Sequence, residues 1–549
     1  MEMRRRTAVD DGPPSVQTKN RRKRPVHKRQ EERNQPILST CSVISIVVFF
    51  IAAGFLQHHY NESRARDPLG GVVSLPNMVR PVNTIRKAVS QAEADLHHLE
   101  ERLSSNSQSA SLLTMQEDAS LERDKDGIRY HLVFSTDCSP YQHWQSYLVY
   151  YSAMLVRQPG HVTRIASGCE PEEAKEMEDW FQTQISGMSK RFHLQLTPHF
   201  SSVKDETGKT TGDYKFFNKP FGLKYWLENS PQLQYTQASQ NEFPSDVRND
   251  IVILIDPDMG LIRPITRDFS NDEETVIAPR RQKHIVTRVV GPGKPAAQVY
   301  GFGAQWARLD LAKVTGTPDT PAAKLSNQDA NLYYPVGPPY LGTVTDMHRI
   351  SEKWTEFVPK VHQQYPHLLA EMFAFSIAAA HLDLPFQLIS SLMVSDVGTG
   401  GDLEGWNLVE KIGYDQVCSV AKSLVSYPAP TTHVPQVVHL CQRYGLGADW
   451  FFTKRKIPAG AIYECTDPLF AEPPDDLPTK YDFKQLPPAY ERKDVDKNES
   501  RRMSFMLCYI YRLVNEAATF YKKHACKDGS ANLSKSRMLV QYMKEGNHH

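Results

Sequence analysis

Two aspartates separated by one residue follow a short apolar segment, residues 251–255 (IVILI). Such a β-branched run predicts a buried strand, and residues two apart at its end project to the same side. Asp256 and Asp258 are therefore expected to lie side by side, with Pro257 stiffening the link between them. Carboxylate oxygens are preferred ligands of Mg²⁺ and Mn²⁺. The pattern predicts a divalent-cation site at the end of a strand, and the alternative is a surface turn that contains two aspartates.

A further carboxylate stands out because of its apolar surroundings. Residues 367–382 predict a helix with a largely apolar face, on which Glu371 is the single carboxylate. Burying a carboxylate is costly unless it is paired or functional. Glu371 is therefore a candidate functional residue, and a carboxylate paired with a buried arginine or a backbone N–H is the alternative. Asp346 and Glu404 are weaker candidates for the same role.

Strand-like and helix-like segments alternate along the part of the chain that carries these residues. Strands are predicted at residues 130–136, 162–166, 193–196 and 251–255, and helices at 144–156, 217–229, 367–382 and 503–521. This alternation predicts an α/β fold with a mostly parallel sheet. Ligands of such sheets bind beyond the carboxyl ends of the strands, which is where the two aspartates are expected.

The amino-terminal region combines a basic segment with an apolar one. Residues 1–36 hold several arginine and lysine clusters, and residues 37–56 contain no charged residue. A helix of about 20 residues spans about 30 Å, the thickness of a bilayer's hydrocarbon core. The pattern predicts an uncleaved transmembrane anchor, with a cytosolic basic tail and all later residues in the lumen. A cleaved signal peptide is the alternative, because residues 52–54 are small.

Charge and cysteine content are compatible with a secretory protein. The net charge of +1 gives no reason to expect nucleic acid as a partner, and a basic nuclear protein would require residues 37–56 to be soluble. Glycosylation triplets begin at Asn61, Asn498 and Asn532. Some luminal cysteines are expected to pair, but their number is odd and their connectivity cannot be inferred. They are Cys138, Cys169, Cys418, Cys441, Cys465, Cys508 and Cys526.

Three further regions follow the anchor. Residues 57–128 are polar and typical of a luminal stem, and apolar positions within 85–103 have the spacing of a short coiled coil. This spacing predicts a homodimer through the stem, and a monomeric helix is the alternative. Residues 129–465 carry the α/β pattern, whereas residues 466–549 predict a Pro- and Asp-rich peripheral wrap followed by a last helix.

Five short segments occur in order between about residues 130 and 450. They are LVFSTDC at 132–138 with WQ at 144–145, GHVTRI at 160–165, NKPFG at 218–222 with YWL at 225–227, IDPDM at 255–259 with RPIT at 263–266, and LAEMFAF at 369–375. Together they resemble the plant and algal peptidyl serine α-galactosyltransferases and the related hydroxyproline O-arabinosyltransferases. The IDPDM and RPIT segments are more similar to the serine branch, whereas residues 232–244 and the tail fit neither branch cleanly.

The resemblance implies a GT-A-like, Rossmann-type nucleotide-sugar-binding domain with Mn²⁺ or Mg²⁺ as cofactor. Asp258 would bind the cation directly, and Asp256 would bind the cation or the ribose. In GT-A enzymes a histidine late in the chain often supplies a third ligand. His439, which follows two apolar residues, is the best candidate for it and His433 the second. The alternative is that His439 is a core histidine whose ring is satisfied by the backbone.

The resemblance also implies roles for residues around the cation. Thr136 and Asp137 would hold uridine at the end of the first strand, and Glu371 would activate the acceptor hydroxyl or stabilise positive charge on the sugar. Three basic residues would contact phosphate, or form structural salt bridges instead. They are Arg164, Lys219 and Arg443.

The resulting expectation is a single-pass type II glycosyltransferase of the Golgi or ER membrane. It would transfer a sugar from a UDP-sugar to Ser- or hydroxyproline-rich secretory proteins, with retention of configuration. UDP-galactose and serine are the first expectation, and UDP-arabinofuranose and hydroxyproline the second. A non-catalytic luminal binding module on the same fold is the contrasting hypothesis. The presence of Asp256, Asp258, Glu371 and His439 together favours the enzyme.

Overall fold

The computed structural model describes residues 121–539, apart from 205–206, 236–241, 272–286, 401–402, 427–432, 448, 459, 481–496 and 528. All of these residues belong to one unit, Leu103–His549. The expected basic tail, the expected anchor at 37–56 and the stem up to residue 120 lie outside the described residues. Within the described part, no helix is both long and apolar enough to cross a membrane.

The described residues form an α/β structure. The strands are β1 (Tyr130–Thr136), β2 (His161–Ser167), β3 (Phe192–Thr197), β4 (Ser202–Lys204), β5 (Thr210–Asp213), β6 (Ile251–Ile255), β7 (Met259–Leu261), β8 (Ala296–Val299), β9 (Val336–Thr343), β10 (Gln387–Ile389), β11 (Met393–Val394), β12 (Val437–His439), β13 (Arg443–Leu446), β14 (Trp450–Thr453), β15 (Leu469–Phe470) and β16 (Lys535–Arg537). The helices are α1 (Tyr141–Leu155), α2 (Pro171–Gln184), α3 (Asn218–Asn229), α4 (Leu311–Thr315), α5 (Pro321–Lys324), α6 (Asn327–Tyr333), α7 (Val344–Gln364), α8 (Ala370–His381), α9 (Trp406–Val409), α10 (Val417–Ser423), α11 (Leu477–Lys480) and α12 (Lys497–Ala525).

A seven-stranded sheet in the order β10-β8-β9-β6-β1-β2-β3 organises the described part of the chain. Strands β6, β1, β2 and β3 pair in parallel, and so do β8 and β10. Strand β9 runs antiparallel to both of its neighbours, which the sequence pattern did not predict. The parallel strands therefore share one edge where they end, and we call it the carboxyl edge of the sheet.

The central strands are apolar on both faces because helices cover both faces. Ile253 and Ile255 of β6 belong to one core with α1 and α12, whereas Val252 and Leu254 belong to a second core with α3, α7 and α8. A strand between two cores has no solvated face, so its sequence is a continuous apolar run rather than an alternating one. Because the strand is packed on both faces, the position of the residue that follows it at the carboxyl edge is fixed as well.

The carboxyl-terminal helix α12 is part of the first core. The hydroxyl of Tyr509 donates a hydrogen bond of 2.7 Å to the carbonyl of Leu261, and the helix is buried along most of its length. Two disulfides join this region to preceding segments: Cys418–Cys508 starts within α12, and Cys465–Cys526 starts at the residue directly after it. A third, Cys138–Cys169, joins the ends of β1 and β2. The remaining described cysteine is Cys441, which is exposed and free.

Three histidines meet near the amino ends of β1, β2 and β3. Nε2 of His193 lies 2.9 Å from Nδ1 of His161, and the ring of His161 stacks on that of His131. Burial lowers the pKa of His161 to about 3 and the pKa of His193 to about 4, and the neighbouring cations add to this effect. The pKa of the fully buried His131 is also lowered by burial, although Asp250 opposes the shift. All three rings are therefore neutral at neutral pH.

We expect these rings to make the protein less stable as the pH falls from about 6.5 toward 4. Unfolded histidine gains a proton near pH 6.5, whereas the folded rings of His161 and His193 gain theirs only near pH 3 and 4, so the unfolded state binds more protons in this window. Each ring contributes at most about 1.4 kcal/mol per pH unit. Urea unfolding at pH 7 and pH 5 should show a smaller loss for His193→Gln than for wild type. Equal losses would contradict the argument.

Candidate functional site

The two aspartates lie directly beyond the end of β6, and a short antiparallel pairing brings a histidine to them. Strand β7 begins right after Asp258 and pairs with β12 in a register that places His439 opposite Met259. The N–H of Leu440 also donates to the carbonyl of Asp258 at 2.9 Å. As a result, Nε2 of His439 lies 3.2 Å from Oδ1 of Asp258 and 3.9 Å from Oδ2 of Asp256.

The donor set of this cluster fits a divalent cation. One ligand atom from each of Asp256, Asp258 and His439 lies within 4.8 Å of the other two, so small side-chain rotations would bring all three onto one ion. Two carboxylates and an imidazole suit Mn²⁺ or Mg²⁺, which also retain water or take phosphate oxygens. The structure therefore groups the three residues that the sequence predicted as ligands.

Two lysines contact the carboxylates of these aspartates. Nζ of Lys219, in the first turn of α3, lies 2.7 Å from Oδ1 of Asp256, and Nζ of Lys454, directly after β14, contacts Oδ2 of Asp258. Lys219 was predicted to contact phosphate. Lys454 was not predicted, and the available signal was the basic run 454–456 after an aromatic strand. Each aspartate thus has its own lysine as a counter-ion.

The charges around Asp258 decide its ionisation. Burial would raise the pKa of this carboxyl, but His439 and Lys454 outweigh burial and hold the pKa well below its ordinary value. For His439, burial lowers the pKa, but Cys441 and Asp258 outweigh it and the net pKa is raised. Asp258 is consequently ionised at any physiological pH.

Glu371 is held in the first turn of α8 and is almost fully buried. The indole of Trp354 donates 2.8 Å to its carbonyl, and its own N–H donates 3.3 Å to the hydroxyl of Tyr214. Its carboxylate lies 3.2 Å from Nζ of Lys219, so the expected partner is a lysine and not an arginine or a backbone N–H. Lys219 therefore bridges Glu371 and Asp256.

The pKa of Glu371 is raised to about 7. Burial is the largest cause, the nearby Asp256 adds to it, and Lys219 opposes both. The pKa of Lys219 is raised as well, because two carboxylates outweigh its own burial. The two shifts are consistent, since Lys219 shares its single charge between two carboxylates and leaves Glu371 only partly compensated. Glu371 can therefore gain or lose a proton near neutral pH.

At the end of β1, Thr136 and Asp137 are supported by a buried arginine. Nε of Arg164 donates 2.9 Å to the hydroxyl of Thr136, and its guanidinium also contacts the carbonyl of Asp137 and the ring of Trp180. Burial lowers the pKa of Arg164 to about 10. Arg164 is fully buried and holds the end of β1, and its contact with phosphate stays a prediction.

Asp137 is the member of this pair that is partly exposed at the carboxyl edge. Its carboxylate accepts hydrogen bonds from the N–H and hydroxyl of Ser139 and lies 3.4 Å from Nζ of Lys215. Burial raises its pKa, but Ser139 and Lys215 lower it further than burial raises it. An ionised carboxylate at this position can accept hydrogen bonds from a nucleoside.

The remaining predicted residues lie outside the cluster. Arg443 is exposed at the first position of β13, opposite Thr453 and hence next to the strand end that carries Lys454. Asp346 accepts hydrogen bonds from Thr343 and Gly293 at the start of α7, and Glu404 accepts them from Ser395 and Asp396. The carboxylates of Asp346 and Glu404 therefore stabilise the segments around them through hydrogen bonds. His433 is exposed and does not belong to the ligand group.

Comparison with known proteins gives one informative match. The chain is 23% identical over 361 residues to peptidyl serine alpha-galactosyltransferase from Arabidopsis thaliana. The chain is distantly related to a glycosyltransferase. The match covers 63% of this chain and 34% of the Arabidopsis protein, so the chain spans about a third of that protein's length. No protein-family model matches the chain. The resemblance predicted from the five segments is confirmed as a distant relationship.

Proposed function

We propose that this protein is a metal-dependent glycosyltransferase with a GT-A-like domain that transfers a sugar from a UDP-sugar to a serine hydroxyl of a protein. The observation that carries the proposal is the group Asp256, Asp258 and His439 at the carboxyl edge of parallel strands. The name of the Arabidopsis relative supports the same reaction class and a serine acceptor. Galactose is the first candidate for the sugar.

The residues of the site suit the transfer step. The bond from the anomeric carbon to the diphosphate oxygen breaks, and a bond from that carbon to the acceptor oxygen forms. A divalent cation held by Asp256, Asp258 and His439 would neutralise the charge that develops on the diphosphate. Lys219 and Lys454 add two positive charges at the same place. Asp137 and Thr136 would hold the nucleoside at the end of β1.

Glu371 would take the proton of the acceptor hydroxyl. Its pKa of about 7 means that a large fraction is ionised at neutral pH while the group is still basic enough to accept a proton. Lys219, at 3.2 Å from this carboxylate and 2.7 Å from Asp256, would hold it beside the proposed cation site. Retention of configuration is part of the proposal and follows from the resemblance to α-galactosyltransferases. It requires the acceptor oxygen to attack the face of the anomeric carbon that the diphosphate leaves, with Glu371 taking the proton on that face.

The proposed location is the lumen of the Golgi or ER, with residues 37–56 as a single-pass type II anchor. The three disulfides support an oxidising compartment, because such bonds persist there and are rare in the cytosol. Carbonate extraction of the full-length protein from membranes tests the anchor. Release into the soluble fraction would rule it out.

The decisive experiment offers full-length protein a panel of UDP-sugars with serine-rich and hydroxyproline-rich peptides. Transfer to serine from UDP-galactose, with the linkage determined by mass spectrometry and NMR, would support the proposal. Transfer of arabinose to hydroxyproline would show that the proposed donor and acceptor are wrong and that the proposed reaction class is right. Absence of transfer or hydrolysis with every UDP-sugar would leave the non-catalytic binding module as the better hypothesis.

Metal removal provides a separate prediction. We expect EDTA to abolish transfer and UDP-sugar hydrolysis, and excess Mn²⁺ to restore both, because Asp256 and Asp258 cannot hold a diphosphate without a cation between them. The measurement is UDP release before and after chelation, with excess Zn²⁺ and Ca²⁺ as comparison ions. Full activity in EDTA would mean that Lys219 and Lys454 neutralise the diphosphate without a metal.

A further inference from the structure

The two lysines of the site differ in how firmly they are held. Lys219 is largely buried between two carboxylates, those of Asp256 and Glu371. The side chain of Lys454 is 25% exposed and has one carboxylate partner, Asp258. Lysine is a point charge on a flexible stem, so it can change partners without a change in the backbone. Lys454 is therefore the less firmly held lysine of the pair.

Lys454 contacts one carboxylate oxygen of Asp258, and His439 lies near the other. Oδ1 of Asp258 lies toward His439, and Oδ2 contacts Nζ of Lys454. A divalent cation bound among Asp256, Asp258 and His439 would be next to the ammonium group of Lys454. The two positive charges would repel each other in a buried site, where screening by solvent is weak. Binding of the cation and retention of the Lys454–Asp258 pair are thus in competition.

A diphosphate removes this competition by giving Lys454 a new partner. The lysine follows β14 at the rim of the cluster, so a phosphate group on the cation would come within reach of its side chain. In the cation-free protein the carboxylates of Asp256, Asp258 and Glu371 face the ammonium groups of Lys219 and Lys454. The cation adds positive charge to this group, and the diphosphate adds the negative charge that Lys454 can pair with.

We propose that Lys454 is an exchangeable counter-ion, which neutralises Asp258 in the cation-free protein and moves to the diphosphate of the nucleotide when the cation binds. The inference rests on the proposed function, because it requires a nucleoside diphosphate as ligand. Its consequence is thermodynamic. Cation and nucleotide strengthen each other's binding by more than their direct contact provides, and the excess depends on Lys454.

The test measures Mn²⁺ affinity of the full-length protein by electron paramagnetic resonance, with and without UDP. In Lys454→Met, Mn²⁺ alone should bind about tenfold more tightly than in wild type, because its competitor is gone. UDP in the presence of Mn²⁺ should bind about tenfold more weakly. The matched control is Lys456→Met, which removes the same charge two residues further on and should change either affinity by less than about threefold.

The outcomes separate this inference from the proposed function. Weaker or unchanged binding of Mn²⁺ alone to Lys454→Met, or unchanged coupling between Mn²⁺ and UDP, overturns the exchange. If wild type binds neither Mn²⁺ nor UDP, the proposed function fails and the exchange fails with it. Lys454→Arg keeps the charge and provides a second test in case Lys454→Met does not fold. It should retain the coupling, and loss of the coupling in this variant would contradict the proposal.

Discussion

Replacing Asp258 by asparagine is expected to lower UDP-sugar turnover at least about 1,000-fold. The side chain is almost fully buried, is kept ionised by His439 and Lys454, and is one of three residues able to hold the cation. Asparagine has the same shape but no charge, so it is a poor ligand for Mn²⁺. Loss of about 4 kcal/mol of transition-state stabilisation corresponds to this factor. UDP release from UDP-galactose at saturating Mn²⁺ measures it.

The control for this variant is Asp319→Asn, which makes the same chemical change at an exposed position and should retain full turnover. Thermal unfolding of both variants separates a lost ligand from a lost fold. Asp258→Asn should also need a higher Mn²⁺ concentration for half-maximal turnover, whereas a folding defect would lower the amount of active enzyme without moving that midpoint. Wild-type turnover with an unchanged Mn²⁺ midpoint would remove the observation on which the proposed function rests.

The acidic part of the site could be predicted from sequence because it depends on local rules. An apolar run of five residues specifies a strand between two cores, and the next residues must then lie at the carboxyl edge. Asp256 and Asp258 follow directly from this rule. His439 could be proposed for a related reason, since two apolar residues before it indicate a short strand that ends at the histidine.

The basic part of the site depends on pairings that a single sequence does not specify. Lys454 reaches Asp258 only because β14 pairs with β13 in a particular register, and Lys219 pairs with Glu371 only because α3 and α8 lie on the same face of the sheet. Antiparallel β9 was missed for a similar reason. Residues 336–343 contain two prolines and two glycines, which argue against a central strand, yet tertiary contacts form one.

The cysteines illustrate the same limit. The sequence indicated that some of the seven luminal cysteines pair but not which ones, and the three pairs span 31, 90 and 61 residues of sequence. Arg164 was equally ambiguous, because a buried arginine under a strand end and an arginine that binds phosphate occupy the same place in sequence. The structure adds its burial and its bond to Thr136, which the sequence did not show, and its contact with phosphate stays a prediction.

Replacing Glu371 by glutamine is expected to lower kcat by about 100- to 10,000-fold, which is the range for loss of a general base. Glutamine keeps the shape and still accepts a hydrogen bond from Lys219. The KM for the UDP-sugar should therefore change by less than about threefold, since the residues around the diphosphate stay in place. Initial rates at varied donor and acceptor concentrations give both constants.

The pH profile distinguishes a base from a residue that only positions Lys219. If the ionised carboxylate of Glu371 is required, the wild-type rate rises with pH until the group is fully ionised, above its pKa of about 7. A bound cation lowers this pKa and moves the rise to lower pH without changing its sign. The rise should be absent in Glu371→Gln. A variant that keeps the rise but has a much higher KM for the donor would show that Glu371 acts through Lys219 and not on the acceptor.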